Sequence, residues 1–293
     1  MKRDGLLVTA AGVAVGFWLA TTAGLTASSS EPPRGLVLYF NFDHPDAGRL
    51  VADRSGQNNN GHASGARWNS AGKQGGGCLL SPGDSGIHVA GSRSLNVKQA
   101  TFAVWFKTSR SDEIWRRILE RRAGQGYAMG IGGGAMGQES RGKLAFSASG
   151  GKPCLSDSVV TDGIWHHGAV TFDGENLRMY VDGQPQKQAI PCRAEIAAIA
   201  DDLTIGMNRS KPSPREKGQS FDGMIDEPMI FNRVLSPEEI KAMVSAVDPR
   251  AVKPKFSKQQ VARRLRQLKL LFEEGLLTED FYARKVAECE AAR

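Results

Sequence analysis

Three groups of residues in this 293-residue chain could do chemistry: adjacent imidazoles at His166 and His167, the acidic stretch "FDGMIDEP" at 221–228, and four cysteines. Neighbouring histidines suit metal binding or general-base work. Here no cysteine or third histidine stands at zinc-site spacing, and a packing or hydrogen-bonding role is the competing reading. A glycosidase needs two carboxyl groups about 5–5.5 Å apart for retention or about 6.5–9.5 Å for inversion. On a regular strand Asp226 and Glu227 face opposite sides, while Asp222 and Asp226 share a face about 13 Å apart. Neither is such a pair. A Ser–His hydrolase would want a Gly-x-Ser-x-Gly elbow, and the chain has none. The residues therefore read as non-catalytic, with a glycoside hydrolase-like enzyme as the remaining alternative. Cys78, Cys154, Cys192 and Cys289 permit three complete pairings. Cys154 follows "GGKP" and Cys192 follows "AIP", turn-like positions where a crosslink is easily placed, so one Cys154–Cys192 bridge is the favoured expectation and four reduced thiols the alternative.

The elements that hold these residues read as strands. "LVLYFNF" at 36–42 alternates as a sheet strand does. Further short candidates fall at 77–81, 86–89, 101–107, 117–122, 127–131, 143–148, 164–172, 176–182, 186–190, 202–206 and 221–232, most of them separated by Gly, Ser or Asp. "DRSGQNNNGHASG" at 53–65 reads as a loop. "WHHGAVTFDGENLRMYVDG" at 165–183 reads as a hairpin, with His166, Gly168, Val170 and Phe172 on its buried face. Many short strands with Gly-rich turns predict an all-β sandwich or barrel over residues 35–247.

The ends differ. Lys2 and Arg3 precede an uncharged apolar run, so residues 1–27 are expected to be a signal peptide or a membrane anchor. "SPEEIKAMVSAV" at 236–247 has a capping serine, Pro237 at the first helical position and Glu239 three after the cap, and predicts one helix. Residues 248–256 read as a linker, and 257–293 as a small helical hairpin with Val261, Leu265, Leu268 and Phe272 on one face. Such a hairpin is too small for a secure core of its own, which predicts docking or self-association. The net charge of +7 is spread over 38 bases and 31 acids, without the basic, aromatic-laced stripe that nucleic acid would need.

Several stretches together resemble one family. "LYFNFD" (38–43), "DRSGQNNNGHASG" (53–65), "GKQGGGCLLSPGDSGIHV" (72–89), "TFAVWFKT" (101–108), "GIWHHGAVTFDGENLRMYVDG" (163–183) and "FDGMIDEPMIFNRVLSPEEI" (221–240) are similar to the concanavalin A-like, laminin G-type domains in their bacterial type 3 form. The resemblance implies a two-sheet antiparallel jelly-roll sandwich and a non-catalytic module that binds a glycan or a cell-surface protein at the bacterial cell envelope, periplasmic, secreted or anchored. Trp68 and Trp115 are the candidate ligand-binding aromatics. The resemblance further implies one structural Ca²⁺, with Asp43, Asp226 and Asp53 as its candidate ligands. "LRQLKLLFEEGLLTEDFYARKVAECE" resembles the short C-terminal helical (SHOCT) domains, and a protein-interaction role through this hairpin is the alternative function.

Overall fold

The computed structural model describes residues 33–43, 49–81, 85–122, 125–192, 196, 198–208, 219–247, 258–274, 278, 279, 282 and 286. The signal-or-anchor expectation for residues 1–27, the linker and Cys289 lie outside them. The membrane expectation is corrected to this extent: among the described residues no helix is long and apolar enough to cross a bilayer.

The strands in chain order are β1 (Leu36–Tyr39), β2 (Leu50–Val51), β3 (Gly61–Ser64), β4 (Arg67–Asn69), β5 (Gly77–Leu80), β6 (Gly86–Val89), β7 (Ala100–Lys107) and β8 (Arg116–Arg121). They continue as β9 (Tyr127–Ile131), β10 (Lys143–Ala148), β11 (Cys154–Val159), β12 (Trp165–Phe172), β13 (Asn176–Val181), β14 (Gln184–Pro191), β15 (Leu203–Ile205) and β16 (Gly223–Phe231). Two α-helices follow among the described residues, α1 (Pro237–Val247) and α2 (Lys258–Glu273). One sheet runs β14-β13-β12-β7-β16-β5-β4, with β1 also on β16, and the other β11-β10-β9-β8-β15-β6-β3-β2. The ladders are antiparallel, so the molecule is the expected all-β sandwich with a C-terminal helical element.

Period-two alternation accounts for the core. Phe102, Val104 and Phe106 of β7 and Val170 and Phe172 of β12 face Ile118, Tyr127, Met129, Leu144 and Phe146 across the sandwich. The Phe102 ring lies 4.5 Å from Tyr127 and 4.9 Å from Phe146, centroid to centroid. Burying each such ring contributes about 1.5–3 kcal/mol. Gly168 belongs in this layer because a Cβ there would sit 2.7 Å from Leu144. On the outer face of the first sheet, Ala103, Ala169, Tyr180 and Phe231 form a second apolar cluster with Leu235 and Ile240, so α1 covers part of that face. The capping box forms as expected: Glu239 N–H donates to Ser236 Oγ, and Ser236 N–H donates to the Glu239 carboxylate.

The disulfide expectation is overturned. Cys154 and Cys192 are both buried thiols in the core cluster, with no bridge between them. Burial raises the Cys154 thiol to about 11, with the Asp157 charge adding to it, so the thiolate that disulfide chemistry needs is scarce.

Candidate functional site

The site grows from a change of neighbour along β16. Residues 223–225 of β16 pair with β5, and residues 229–231 pair with β1. Between them the register with β7 slips from Asp226 to Met229. Glu227 takes φ +51 there, in front of Pro228. A residue before proline is pushed out of the right-handed helical region, and positive φ is uncommon outside glycine. The regular alternation assumed from sequence therefore fails at this point: Asp226 and Glu227 are both buried. Asp226 Oδ2 accepts the amides of Lys73 and Gln74, each at 2.9 Å, and its Oδ1 accepts the Glu227 amide. Glu227 Oε2 accepts the Tyr39 hydroxyl at 2.7 Å. Asp43 joins through charge, and its carboxylate accepts the Asn41 amide group. Burial raises Asp226 to about 7 and Glu227 to about 8, the latter helped by the Asp226 charge. Burial and Glu227 push the Tyr39 phenol up as well.

The glycine turn after β4 closes over this cluster. At Gly75, φ +66, a Cβ would fall 2.3 Å from Asp43 Oδ1, and at Gly76 one would fall 2.1 Å from the Phe42 carbonyl. The same carbonyl accepts the Trp68 indole N–H at 2.7 Å. Trp68 is thus fixed at its polar edge while remaining 42% exposed. The structure brings Trp68 and Asp43 to one corner, joined through Phe42.

The other candidates go elsewhere. The Asp53 carboxylate accepts hydrogen bonds from the Tyr39, Ser55 and Asn59 amides and from the Ser55 hydroxyl, the bonding of a loop organiser. Asp43 and Asp226 offer the hard oxygens that calcium prefers, and their mutual repulsion suits a cation. Six to eight oxygens would still require backbone carbonyls or water. Among the described residues no group of three or more His, Cys, Asp or Glu is placed to hold a metal. Trp115 precedes β8 on the opposite sheet. The Arg117 guanidinium lies 3.7 Å over its ring, and its indole nitrogen is buried without a partner.

The histidine pair has its own logic. Asp182-Gly183 is a two-residue turn with φ +51 and +76 between β13 and β14, the type I′ geometry that follows strand twist. From this turn Asp182 Oδ2 lies 2.8 Å from His166 Nδ1, and Oδ1 accepts the His167 amide. Asp162 holds the other side of the His166 ring. These partners, Asp182 first, raise the His166 pKa against the opposing effect of burial. His167 is desolvated, falls to about 4 and stays neutral. With a folded pKa above the unfolded value of about 6.5, this histidine latch stabilises the fold fully below that pH and loses its effect as pH rises through the folded value. Asp182→Asn is expected to flatten the pH dependence of stability above about pH 6.5, measured as urea midpoints across pH 6–9. An unchanged slope would refute the latch.

Comparisons with known proteins agree with this architecture. A rat (Rattus norvegicus) protein, "Sushi, von Willebrand factor type A, EGF and pentraxin domain-containing protein 1", is 31% identical over 91 residues, 30% of this chain and 3% of its own length. The binding domain of Paraclostridial Mosquitocidal Protein 1 superposes with a TM-score of 0.57 at 16% identity, over 72% of this chain and 52% of that one. Domain 4 of AbnA, a GH43 extracellular arabinanase from Geobacillus stearothermophilus, solved with arabinotriose, gives 0.55 at 18% identity over 71% and 98%. The binding domain of Botulinum Neurotoxin DC in complex with SialylT gives 0.55 at 14% identity over 74% and 52%. The chain thus spans about half of the mosquitocidal binding domain and a small fraction of the rat protein. At these identities the structural likeness carries the fold alone. The matched family residues stop at 241, inside α1 and short of α2, so the family match gives no support to the SHOCT resemblance expected for 257–293. The family profile described as the concanavalin A-like lectin/glucanases superfamily matches residues 81–241, more than half of the 293, and the chain belongs to that family.

Proposed function

We propose that this chain is a non-catalytic, extracytoplasmic carbohydrate-binding module whose ligand stacks on Trp68, beside a structural calcium held by Asp43 and Asp226. The observation that carries the reading is the Trp68 indole, anchored by its nitrogen to the Phe42 carbonyl and still partly exposed to water. A rigid aromatic plate next to carboxylates is what a sugar ring needs: one apolar face to stack on and polar groups at the edge. The arabinotriose and SialylT complexes of proteins with this fold support it. A second reading, a protein-interaction module, draws on α2. There Leu265, Leu268, Leu271 and Phe272 are only partly buried, and Phe272 stacks on Tyr282 at 4.5 Å. A botulinum binding domain of the same fold was solved with rat synaptotagmin II.

The test is a glycan array read with wild type and Trp68→Ala. Trp68→Ala is expected to lower affinity at least tenfold, the loss of about 1.4 kcal/mol or more of stacking, with the melting temperature nearly unchanged. Truncation after residue 247 should leave glycan binding intact. Binding to no glycan in either form, with a protein captured only by the untruncated chain, would replace the first reading by the second.

A further inference from the structure

A cavity of about 270 Å³ lies on the outer face of the first sheet, walled on one side by α1, and Trp68 does not line it. Its wall is mostly apolar, with Trp105, Met229, Phe231, Leu235 and Met243. Two of the polar side chains on that wall satisfy each other. Arg233 pairs with Glu239 through two nitrogens, at 2.9 and 2.6 Å. Two groups are different: the buried His167 ring, whose Nδ1 has no hydrogen-bond partner among the described residues, and Glu227. The Glu227 side chain is buried and lines the cavity, and its Oε2 is taken by Tyr39. Among the described residues nothing hydrogen-bonds its Oε1. A half-used carboxyl group on an apolar wall is the pattern of a small-ligand pocket, in which few polar atoms fix the orientation of a mostly apolar body.

The wall also selects the ligand class. An anion would meet Glu227 with Asp226 beside it. A sugar would bring several hydroxyl groups against thioether, leucine and aromatic carbon and leave most of them unpaired. One hydroxyl is the right complement, because it both donates and accepts and so matches the carboxyl group in either protonation state. We propose that this cavity binds a small, neutral, ring-bearing compound with a single hydroxyl group, its ring against Trp105, Phe231 and Met243 and its hydroxyl on Glu227. The site goes beyond the glycan reading and does not depend on it.

The experiment uses the full chain labelled with ¹³C at the methionine methyl groups and titrated with 4-ethylphenol, ethylbenzene and methyl glucoside. Saturable shifts of the Met229 and Met243 methyl signals are expected with 4-ethylphenol. Ethylbenzene, without the hydroxyl, should bind about tenfold more weakly, the effect of one hydrogen bond. Methyl glucoside should shift neither signal. Met243→Trp, a change on the partly exposed side of α1, should fill the cavity and abolish the shift at Met229. Absence of saturation with 4-ethylphenol, equal affinity for ethylbenzene, or unchanged binding to Met243→Trp would each overturn the proposal. A loss of glycan binding in Trp68→Ala would bear only on the other site.

Discussion

Arg121→Ala is expected to lower the stability of the sandwich by about 4 kcal/mol, enough to remove a large part of a typical domain's margin. Arg121 ends β8 with 1% of its surface exposed. Its Nε donates to the Asp201 carbonyl at 3.0 Å, one terminal nitrogen to Asn96 Oδ1 at 2.9 Å, and the other to the Ile199 carbonyl at 2.6 Å and the Ser92 carbonyl at 3.4 Å. One guanidinium therefore ties the loop at 92–96 and the loop at 199–201 to the second sheet. Truncation strands several acceptors away from water, and each orphaned buried group costs about 1–3 kcal/mol. Lysine cannot span the same fan of acceptors, so Arg121→Lys should recover only a minority of the loss. Urea unfolding with an unchanged m-value would measure it, and a loss below about 1 kcal/mol would show that the loops close without the arginine.

The second large effect is expected from calcium. With chelator present, Asp226 at about 7 and Glu227 at about 8 are carboxyl groups whose folded pKa lies above the unfolded values of about 3.9 and 4.3. Their contribution is full below about pH 4 and is lost as pH rises through 7 and 8, so stability should decline across that window. A bound cation would offset the charge that burial penalises. Saturating Ca²⁺ at a hundred times its dissociation constant adds about 2.7 kcal/mol. For a domain of about 200 residues that is a rise in melting temperature of about 5–10 °C. The rise should be larger at pH 8 than at pH 5, where protons compete for the same oxygens. A melting curve unmoved by either chelator or Ca²⁺ at pH 8, with no calcium by elemental analysis of the native protein, would remove the ion from the proposed function.

Much of the sandwich was legible because its central strands alternate strongly. β7, β12 and β13 carry Phe, Val and Leu on one face, and the Asp182-Gly183 pair announces its turn. The strands that escaped notice have no such pattern. β2 is "LV", β3, inside the stretch 53–65 expected to be a loop, is "GHAS", β4 is "RWN" and β11 is "CLSDSV"; they are strands because their neighbours offer a ladder, not because their side chains ask for one. Arg116, Arg117, Glu120 and Arg121, at and within the strand candidate 117–122, are buried, which their residue types do not announce, since their ion pairs and carbonyl contacts become visible only in three dimensions. At the site, Trp68 could be singled out by residue type, and Asp43 and Asp226 by the family resemblance. Their meeting could not, because it depends on a bulge at Glu227-Pro228 and on a glycine turn folded over from β4. Pro228 was the one available signal that strand geometry would break there.

The pairing of the first strand with the last has a mechanical side. Leu36, the first residue of β1, stands opposite Phe231, the last of β16, and the bond from Asn232 N–H to the Gly35 carbonyl closes that end of the ladder. Tension between the two ends of the sandwich would therefore act at one point. It would open the β1–β16 hydrogen bonds in succession, like a zip, and not load them all at once in shear. Once β1 peels away, Tyr39 leaves Glu227 and the corner that holds Asp43 and Asp226 comes apart. A module threaded this way resists pulling poorly, and it would keep its grip best as a side branch through which no force is transmitted.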